Sequence, residues 1–470
     1  MPGHQDRARA SRSDHHSFLD SLCLFQRPVG PPSPKWRWWL IALIVLATIP
    51  RVGVAVFSRP FLLPDSEGYR HMAQMLAHAD LSGYDAVRTP GYPLLVAMTS
   101  SSLSGVQVVQ LGLGLLSTTL LFWMALRLTA SAPAAFVSGA LYGLCVIQIQ
   151  LENTILSETL ATALVVGVAF LGVTSILETR PYPRARLLGL GLAGAAAMLT
   201  RPALALLPIL SLPFVLSSRS SKAKTVALVL VPTFVAVLGW STFNYATVGS
   251  FSPTSITGVA LYTHVRPFMQ DVRPADNTVA AAAADLRRAN AGAEPTEWQV
   301  AYDVARRERR SIPEVSSEML RLSERLIVTH PIQYARDVAL GAAYFWKGPS
   351  RGYLRWGDST GVLAMVWTAE RVIFFVAAGI MFLMALALVT LRLRVVMRVP
   401  RGRAWVFLAT VVVFSCVFQA MSIFAGNDRY GIPFQPIYGL CVVVFVFDAL
   451  RGWDSRRSSS DRRRRVEFPA

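Results

Sequence analysis

Residues 60–97 read PFLLPDSEGYRHMAQMLAHADLSGYDAVRTPGYPLLVA and lie between two apolar runs of near-bilayer length, 36–57 and 106–126. Roughly twenty apolar residues cross a hydrocarbon core, so this polar stretch is a loop of a membrane protein rather than part of a soluble domain. It carries two acids two residues apart, Asp65 and Glu67, and then an amphipathic helix with the stripe Tyr69, Met72, Ala73 and Leu76. Arg88 follows, ahead of a Pro-Gly-Tyr-Pro turn that ends at Pro93. No other segment is so dense in groups able to do chemistry beside a membrane.

Further apolar runs occur at 132–149, 155–177, 187–199, 203–216, 225–245, 363–391, 404–424 and 432–447. The expected fold is all-α, a polytopic bundle of about ten transmembrane helices. Residues 1–35 are polar, basic and Pro-rich and read as a disordered cytoplasmic tail without the short apolar core of a signal peptide. Residues 36–248 then form an N-terminal transmembrane module holding the loop at 58–105, and 249–361 are the one long polar insertion. The C-terminal transmembrane helices occupy 362–450 and a basic cytoplasmic tail 451–470. Within the insertion, 278–291, 294–310 and 313–329 have helical character, His330-Pro331 ends the last of these, and 334–346 is amphipathic. Cys23, Cys145, Cys416 and Cys441 show no metal-ligand spacing, so neither a disulfide nor a zinc site is expected.

The formal charge of +18 takes its meaning from its placement. With the N-terminus cytoplasmic, the inner segments hold Arg127; Arg180, Arg184 and Arg186; Arg219, Lys222 and Lys224; Arg392, Arg394, Arg398, Arg401 and Arg403; and the tail arginines at 456–465. With the N-terminal tail, that is roughly 25 of 46 bases against about 8 of 28 acids. The remainder, about 21 bases and about 20 acids, nearly cancels. The excess is a topology signal and not a nucleic-acid footprint. It implies a multi-pass protein of the plasma (inner) membrane in contact with membrane lipids, with both termini cytoplasmic. Asp65, Arg88, Glu152, Glu158, Arg201 and Arg429 then gather on the extracytoplasmic face.

Each polar residue has more than one reading. Asp65 suits a general base toward a hydroxyl and equally the N-cap of the helix that follows it. Asp-x-Glu, through Asp65 and Glu67, also suits a divalent cation. Arg88 suits bidentate contact with a phosphate, or snorkelling to headgroups. Glu152, Glu158, Arg201-Pro202 and Asp428-Arg429-Tyr430 interrupt or open apolar runs, where charges are functional or paired; Glu158 with Arg201 is the expected structural pair. Lys347 reads as an interfacial anchor, and His264 and His330 as structural.

In their order and common side, these short motifs resemble the multi-spanning lipid-linked-sugar glycosyltransferases, the GT-C superfamily. The resemblance is to the branch with protein mannosyltransferases of the dolichyl-phosphate-mannose type and aminoarabinose transferases. It rests on Pro64-Asp65-Ser66-Glu67-Gly68-Tyr69, Arg88 to Pro93, Ser157-Glu158 and Arg201-Pro202. It rests further on Asn244-Tyr245 with Gly249 and Ser255 to Gly258, on His330 to Tyr334, and on Arg429 to Pro433. The resemblance implies a GT-C-like bundle with a helical extracytoplasmic loop, a polyprenyl-phosphate sugar donor, and a hydroxyl acceptor on a glycan, lipid or protein. By carry-over Asp65 is the catalytic base with Glu67 beside it, Arg88, Arg201 and Arg429 hold the donor phosphate, and the sugar carbon inverts. Glu152, Glu158, Tyr92 and Tyr430 are supporting polar residues, and the only cofactor in view is a divalent cation at Asp65 and Glu67. Ser66 separates two acids that many relatives hold adjacent, which leaves the role of Glu67 and of any cation open. The alternative function is a transporter or flippase for a lipid-linked or anionic solute, which would line a path near the bilayer midplane, often in paired repeats.

Overall fold

The computed structural model describes residues 34–178, 184–216, 221–349, 361–391, 393–424 and 427–467. The tail with Cys23, and Arg180, Arg219 and Arg392 of the charge count, lie outside them. The described residues are helical throughout their ordered elements, joined by one isolated parallel bridge between Phe61 and Thr154.

The chain begins with α1 (Trp36–Phe57), α2 (Pro64–His78), α3 (Gly91–Met98) and α4 (Leu103–Thr129). It continues through α5 (Ala132–Gly143), α6 (Val146–Glu152), α7 (Glu158–Leu177), α8 (Arg184–Thr200), a 3-10 turn Pro202–Leu206, α9 (Leu207–Leu216) and α10 (Lys222–Val248). The insertion holds α11 (Thr257–Val265), α12 (Thr278–Ala289), α13 (Glu297–Glu308), α14 (Ile312–Thr329) and α15 (Pro331–Lys347). The chain closes with α16 (Val362–Leu391), α17 (Leu393–Arg398), α18 (Pro400–Ser422), α19 (Asn427–Tyr430) and α20 (Gln435–Glu467).

Seven helices of the described residues are long and apolar enough to cross a membrane, which makes the chain an integral membrane protein. They are α1, α4, α7, α10, α16, α18 and the stretch Ile432–Arg451. The pair α5–α6, bent by 53°, makes an eighth if taken as one span. The sequence count of about ten included 187–199 and 203–216. These are α8, of 17 residues, at the lower limit of a bilayer crossing, and α9, of 10, which falls short of one. The bend between α5 and α6 has its own cause. Glu370 of α16 accepts from Val146 N at 2.7 Å and Ile147 N at 3.0 Å, satisfying orphan amides where α6 starts afresh.

The apolar pattern sorts the helices by depth. On α1 the stripe Ile41, Val45, Ile49, Val52 and Val56 is exposed, as a lipid-facing surface should be, while Leu43 and Ala47 turn inward. By contrast, α7 is apolar all round and sits in the middle, with Val165, Val166, Ala169, Val173 and Ile176 buried. The insertion has a separate core built on Val259, Val279, Val300, Val304, Val315 and Met319. Its close packing depends on Gly258, where a Cβ would fall 1.7 Å from the Ser316 carbonyl oxygen.

Three polar stretches of the described residues, 58–102, 249–349 and 427–431, come together, the last through Arg429 on Asp65. Three further bonds hold the first of them to its neighbours. Phe61 N donates to Asn153 O at 2.8 Å, Ser255 N to Ala86 O at 2.8 Å, and Ser66 Oγ to Ile155 O at 2.8 Å.

Candidate functional site

The N-terminus of α2 is closed by Ser66, whose hydroxyl accepts from Leu63 N at 2.9 Å, with Pro64 pre-set in the first turn. Asp65 is therefore not the cap that its position suggested. Its carboxylate turns to two arginines instead: Oδ1 accepts from Arg88 at 2.7 Å and Oδ2 from Arg429 at 2.7 Å. Arg429 Nε lies 2.6 Å from Glu158 Oε1, which Arg201 also meets at 2.8 Å. Arg201 Nε donates to Ser157 Oγ at 3.0 Å, and that hydroxyl lies 3.0 Å from the Tyr69 hydroxyl. Arg88 completes the circuit by lying 4.6 Å over the Tyr69 ring.

Three guanidinium groups thus face two carboxylates, leaving one positive charge unbalanced. Exposure rises through the cluster, from 1% at the Glu158 side chain to 13% at Arg429 and 31% at Asp65. The cluster is sealed at its membrane end and opens at Asp65. Burial alone would raise the Asp65 carboxyl, but Arg429 and then Arg88 outweigh it and hold it at about 2. Burial works against the charge of Arg88 as well, and Tyr69 and Asp65 keep it above its ordinary value.

Local structure explains why these side chains converge. Thr254 Oγ1 donates to Val87 O at 3.0 Å and Ser255 Oγ to Asp85 O at 2.8 Å, clamping the backbone beside Arg88. Asn244, at the end of α10, accepts from the Tyr84 hydroxyl at 2.7 Å and donates to Ser252 O at 2.7 Å, holding both sides of that clamp. Thr89 Oγ1 donates to Thr200 O at 3.1 Å, next to Arg201. At Gly91 the backbone of α3 packs directly on α8, where a Cβ would lie 2.7 Å from the Leu199 carbonyl carbon.

Two cavities meet at this cluster. One, of ≈ 450 Å³, is lined by Asp65, Glu67, His71 and Asp85 and by Trp298 and Tyr302 of α13. The other, of ≈ 290 Å³, joins Arg201 and Arg429 to the apolar side chains of Leu204, Phe418 and Pro433. Arg88 and Val87 line both and form the wall between them.

The remaining sequence candidates fall in three groups. Tyr430 lies under Arg201 and Arg429 at 5.5 and 5.9 Å, inside the cluster. Glu67 borders the larger cavity, but its side chain is 76% exposed and pairs with Arg70 at 3.1 Å, away from the arginines that hold Asp65. Tyr92 is fully buried behind the cluster, edge-on to Tyr69 at 4.9 Å, and donates to Gln110 Oε1 at 2.9 Å. Glu152 is not brought to the cluster; it pairs with Arg51 at 2.7 Å. The pairing of Glu158 with Arg201 is present and belongs to the cluster itself.

A divalent cation does not fit Asp65 and Glu67, because both Asp65 oxygens are taken by arginines and Glu67 points elsewhere. Among the described residues no group of three or more His, Cys, Asp or Glu side chains is placed to hold a metal ion. His264 is buried against Tyr334 and Phe424, and His330 pairs with Asp271 at 3.2 Å, both remote from the cluster. Lys347 Nζ sits 5.7 Å over the Tyr344 ring.

Sequence reasoning passed over Trp298, Tyr302 and Glu370. The first two stand four apart in a charged helix, which was a signal for an aromatic stripe. Glu370, beside Arg371, had no pattern to mark it, because its partners are backbone amides of a half-helix.

No family model and no curated protein matches the chain. Among solved structures it is similar to the crystal structure of ArnT from Cupriavidus metallidurans bound to undecaprenyl phosphate, at 14% identity and a TM-score of 0.38, over 83% of this chain and 77% of that one. It is also similar to ArnT from Cupriavidus metallidurans in the apo state, at 12% identity and a TM-score of 0.34, over 83% and 78% of the two chains.

Proposed function

We propose that the chain is a membrane glycosyltransferase that moves a monosaccharide from a polyprenyl-phosphate donor to a hydroxyl acceptor on the extracytoplasmic face of the plasma (inner) membrane. The observation that carries this reading is Asp65, on the lining of a polar cavity, held between Arg429 and the Arg88 that separates that cavity from an apolar one. The apolar cavity suits the first isoprene units, with Arg201, Arg429 and Arg88 at its head for the phosphate. The polar cavity suits the acceptor, with Asp65 at its floor.

Chemically, the donor leaves as a stable phosphate anion, so the reaction needs a base on one side of the sugar carbon and fixed positive charge on the other. Asp65 takes the proton of the acceptor hydroxyl and the freed oxygen attacks the anomeric carbon. The bond to the phosphate oxygen breaks, and the electron pair leaves with polyprenyl phosphate. A single in-line displacement inverts that carbon.

A carboxyl held at about 2 is a poor base, and the same contacts supply the remedy. A donor phosphate competes for Arg88 and Arg429. Once they turn to it, Asp65 keeps its burial, loses its cations and gains an anion beside it, and both changes raise its proton affinity. The resting ion pairs thus keep the base quiet until donor is bound.

The test is a release assay. Wild type and Asp65→Asn, purified in detergent, are given a panel of polyprenyl-phosphate sugars with crude envelope acceptors, and free polyprenyl phosphate is followed. Release by the wild type alone is expected. Equal release by both removes Asp65 from the chemistry, and no release with any donor turns the question to lipid transport.

A further inference from the structure

The cavity that Asp65 lines also has a surface that the transfer chemistry does not use. Trp298 and Tyr302 stand four residues apart on α13, one helical turn, with ring centroids 5.6 Å apart and planes 29° from parallel. The neighbouring face of α13 is anchored, with Val300, Ala301 and Val304 all buried in the core of the insertion. Trp298 packs partly against that core and is half-buried, while Tyr302 remains 56% exposed. Both line the cavity that Asp65, Glu67, His71 and Asp85 also line.

A cavity lined by an aromatic pair together with acceptors and donors selects an amphipathic planar ligand. A pyranose ring has this character: its axial C–H bonds make an apolar face that packs on aromatic rings, while its hydroxyls project from the edge toward carboxylates and imidazole. A volume of ≈ 450 Å³ lies within the range of about 300–1,000 Å³ that small-molecule sites occupy. A hydroxyl on a flexible peptide or on a lipid alcohol offers no rigid apolar face to match the rings.

We propose that Trp298 and Tyr302 are the stacking face for the acceptor, and that the acceptor is a carbohydrate which presents a ring hydroxyl to Asp65. This rests on the reading of Asp65 as the base, and it makes the insertion the part of the chain that selects the acceptor class. Trp298 and Tyr302 hold the ring and Asp65 takes its proton.

The experiment uses the full chain in detergent and two readouts. Saturation-transfer NMR with a panel of free mono- and disaccharides reads binding without turnover, and donor-dependent release of polyprenyl phosphate gives the acceptor KM. In wild type, ring C–H protons of at least one saccharide receive saturation. Trp298→Ala and Tyr302→Ala lose that signal and raise the acceptor KM at least tenfold, with kcat at saturating acceptor and donor affinity close to wild type. Trp298→Phe and Tyr302→Phe, which keep a ring, restore both and rule out misfolding. Asp65→Asn keeps the saccharide signal. Unchanged acceptor KM in the alanine variants overturns the proposal, as does the absence of any saccharide signal or full activity on a peptide or lipid alcohol that ignores Tyr302. A wild type that binds saccharide through these rings but releases no polyprenyl phosphate with any donor leaves the stacking face standing and brings down the transferase reading alone.

Discussion

The Arg51–Glu152 pair and the Asp65 cluster are both arginine–carboxylate sites of the same bundle, and they differ in what surrounds them. Arg51 and Glu152 meet at 2.7 Å with side chains 2% and 1% exposed. The charges match one to one. Arg51 Nη1 donates to Ala47 O at 2.8 Å and Gly143 O at 2.6 Å, and a Cβ on Gly114 would strike the Glu152 carboxylate, so the pair is tightly enclosed. The Asp65 cluster is also built from ion pairs, but it carries one guanidinium too many and borders two cavities. Burial of an ion pair therefore does not identify a site. Unbalanced charge beside open space does, because only there can a ligand anion replace a protein one.

Neutralising one acid in each place separates the two roles. Asp65→Asn is expected to lower turnover by about 10²–10⁴-fold while the protein still purifies as a folded monodisperse species, since the arginines it frees border open cavities where water can reach them, unlike Arg51. Glu152→Gln is expected to do the reverse. It strands a buried Arg51 charge, for a loss of about 3 kcal/mol in unfolding free energy, while turnover per folded molecule stays within about twofold. Replacing both partners, Arg51→Met with Glu152→Leu, should recover most of that loss, because a buried pair taken out whole leaves no uncompensated charge. Thermal unfolding in detergent beside the release assay reads both axes. If Glu152→Gln fails in turnover while its stability holds, the contrast between the two sites is wrong.

Titration sharpens the same contrast. The Asp65 carboxyl is held at about 2, below its ordinary value of 3.8. A depressed carboxyl contributes stability that is present above the unfolded value and is lost as pH falls through the folded one. Without donor, the infrared carboxylate band assigned by subtracting Asp65→Asn should persist through pH 4 and vanish near 2. With polyprenyl phosphate bound, its midpoint should rise by at least about one unit, because the phosphate takes the arginines. An unmoved midpoint would mean that phosphate does not compete for Arg88 and Arg429.

Much of this was legible in the sequence, and the reasons differ from element to element. The membrane spans declare themselves by length and apolarity, and the helical insertion by its capping and periodicity: Thr296 with Gln299 and Ser311 with Glu314 form capping boxes where α13 and α14 begin. The convergence of Asp65, Arg88, Arg201 and Arg429 was anticipated from their common side of the membrane and is seen as direct contact. The failures among the site residues have one physical source: partners set by tertiary packing leave no local pattern. Asp65 looks like a cap until Ser66 is seen to do that work. Glu152 looks like a member of the cluster because it stands six residues from Glu158, but α6 is a bent half-helix that turns it toward Arg51, some hundred positions back. The two short helices α8 and α9 count as spans on apolar composition, although Arg201-Pro202 already marks the break that leaves each of them short.

The smallest expected effect concerns the residue that joins the two regions. Tyr92 donates to Gln110 Oε1 at 2.9 Å, and Gln110 donates in turn to Glu152 O at 2.8 Å and Thr154 O at 2.9 Å. On its other side the Tyr92 ring packs edge-on against Tyr69, whose hydroxyl contacts Ser157. The ring therefore supports the cluster, while the hydroxyl serves the structural side. Tyr92→Phe keeps the ring and strands one acceptor of Gln110, for about 1 kcal/mol of stability, with turnover within about twofold of wild type. Tyr92→Leu removes the edge that holds Tyr69 and should reduce turnover further than it reduces stability. If the phenylalanine variant instead loses activity tenfold, the hydroxyl reaches the reacting centre through Gln110, and the boundary between the two regions must be drawn behind Gln110.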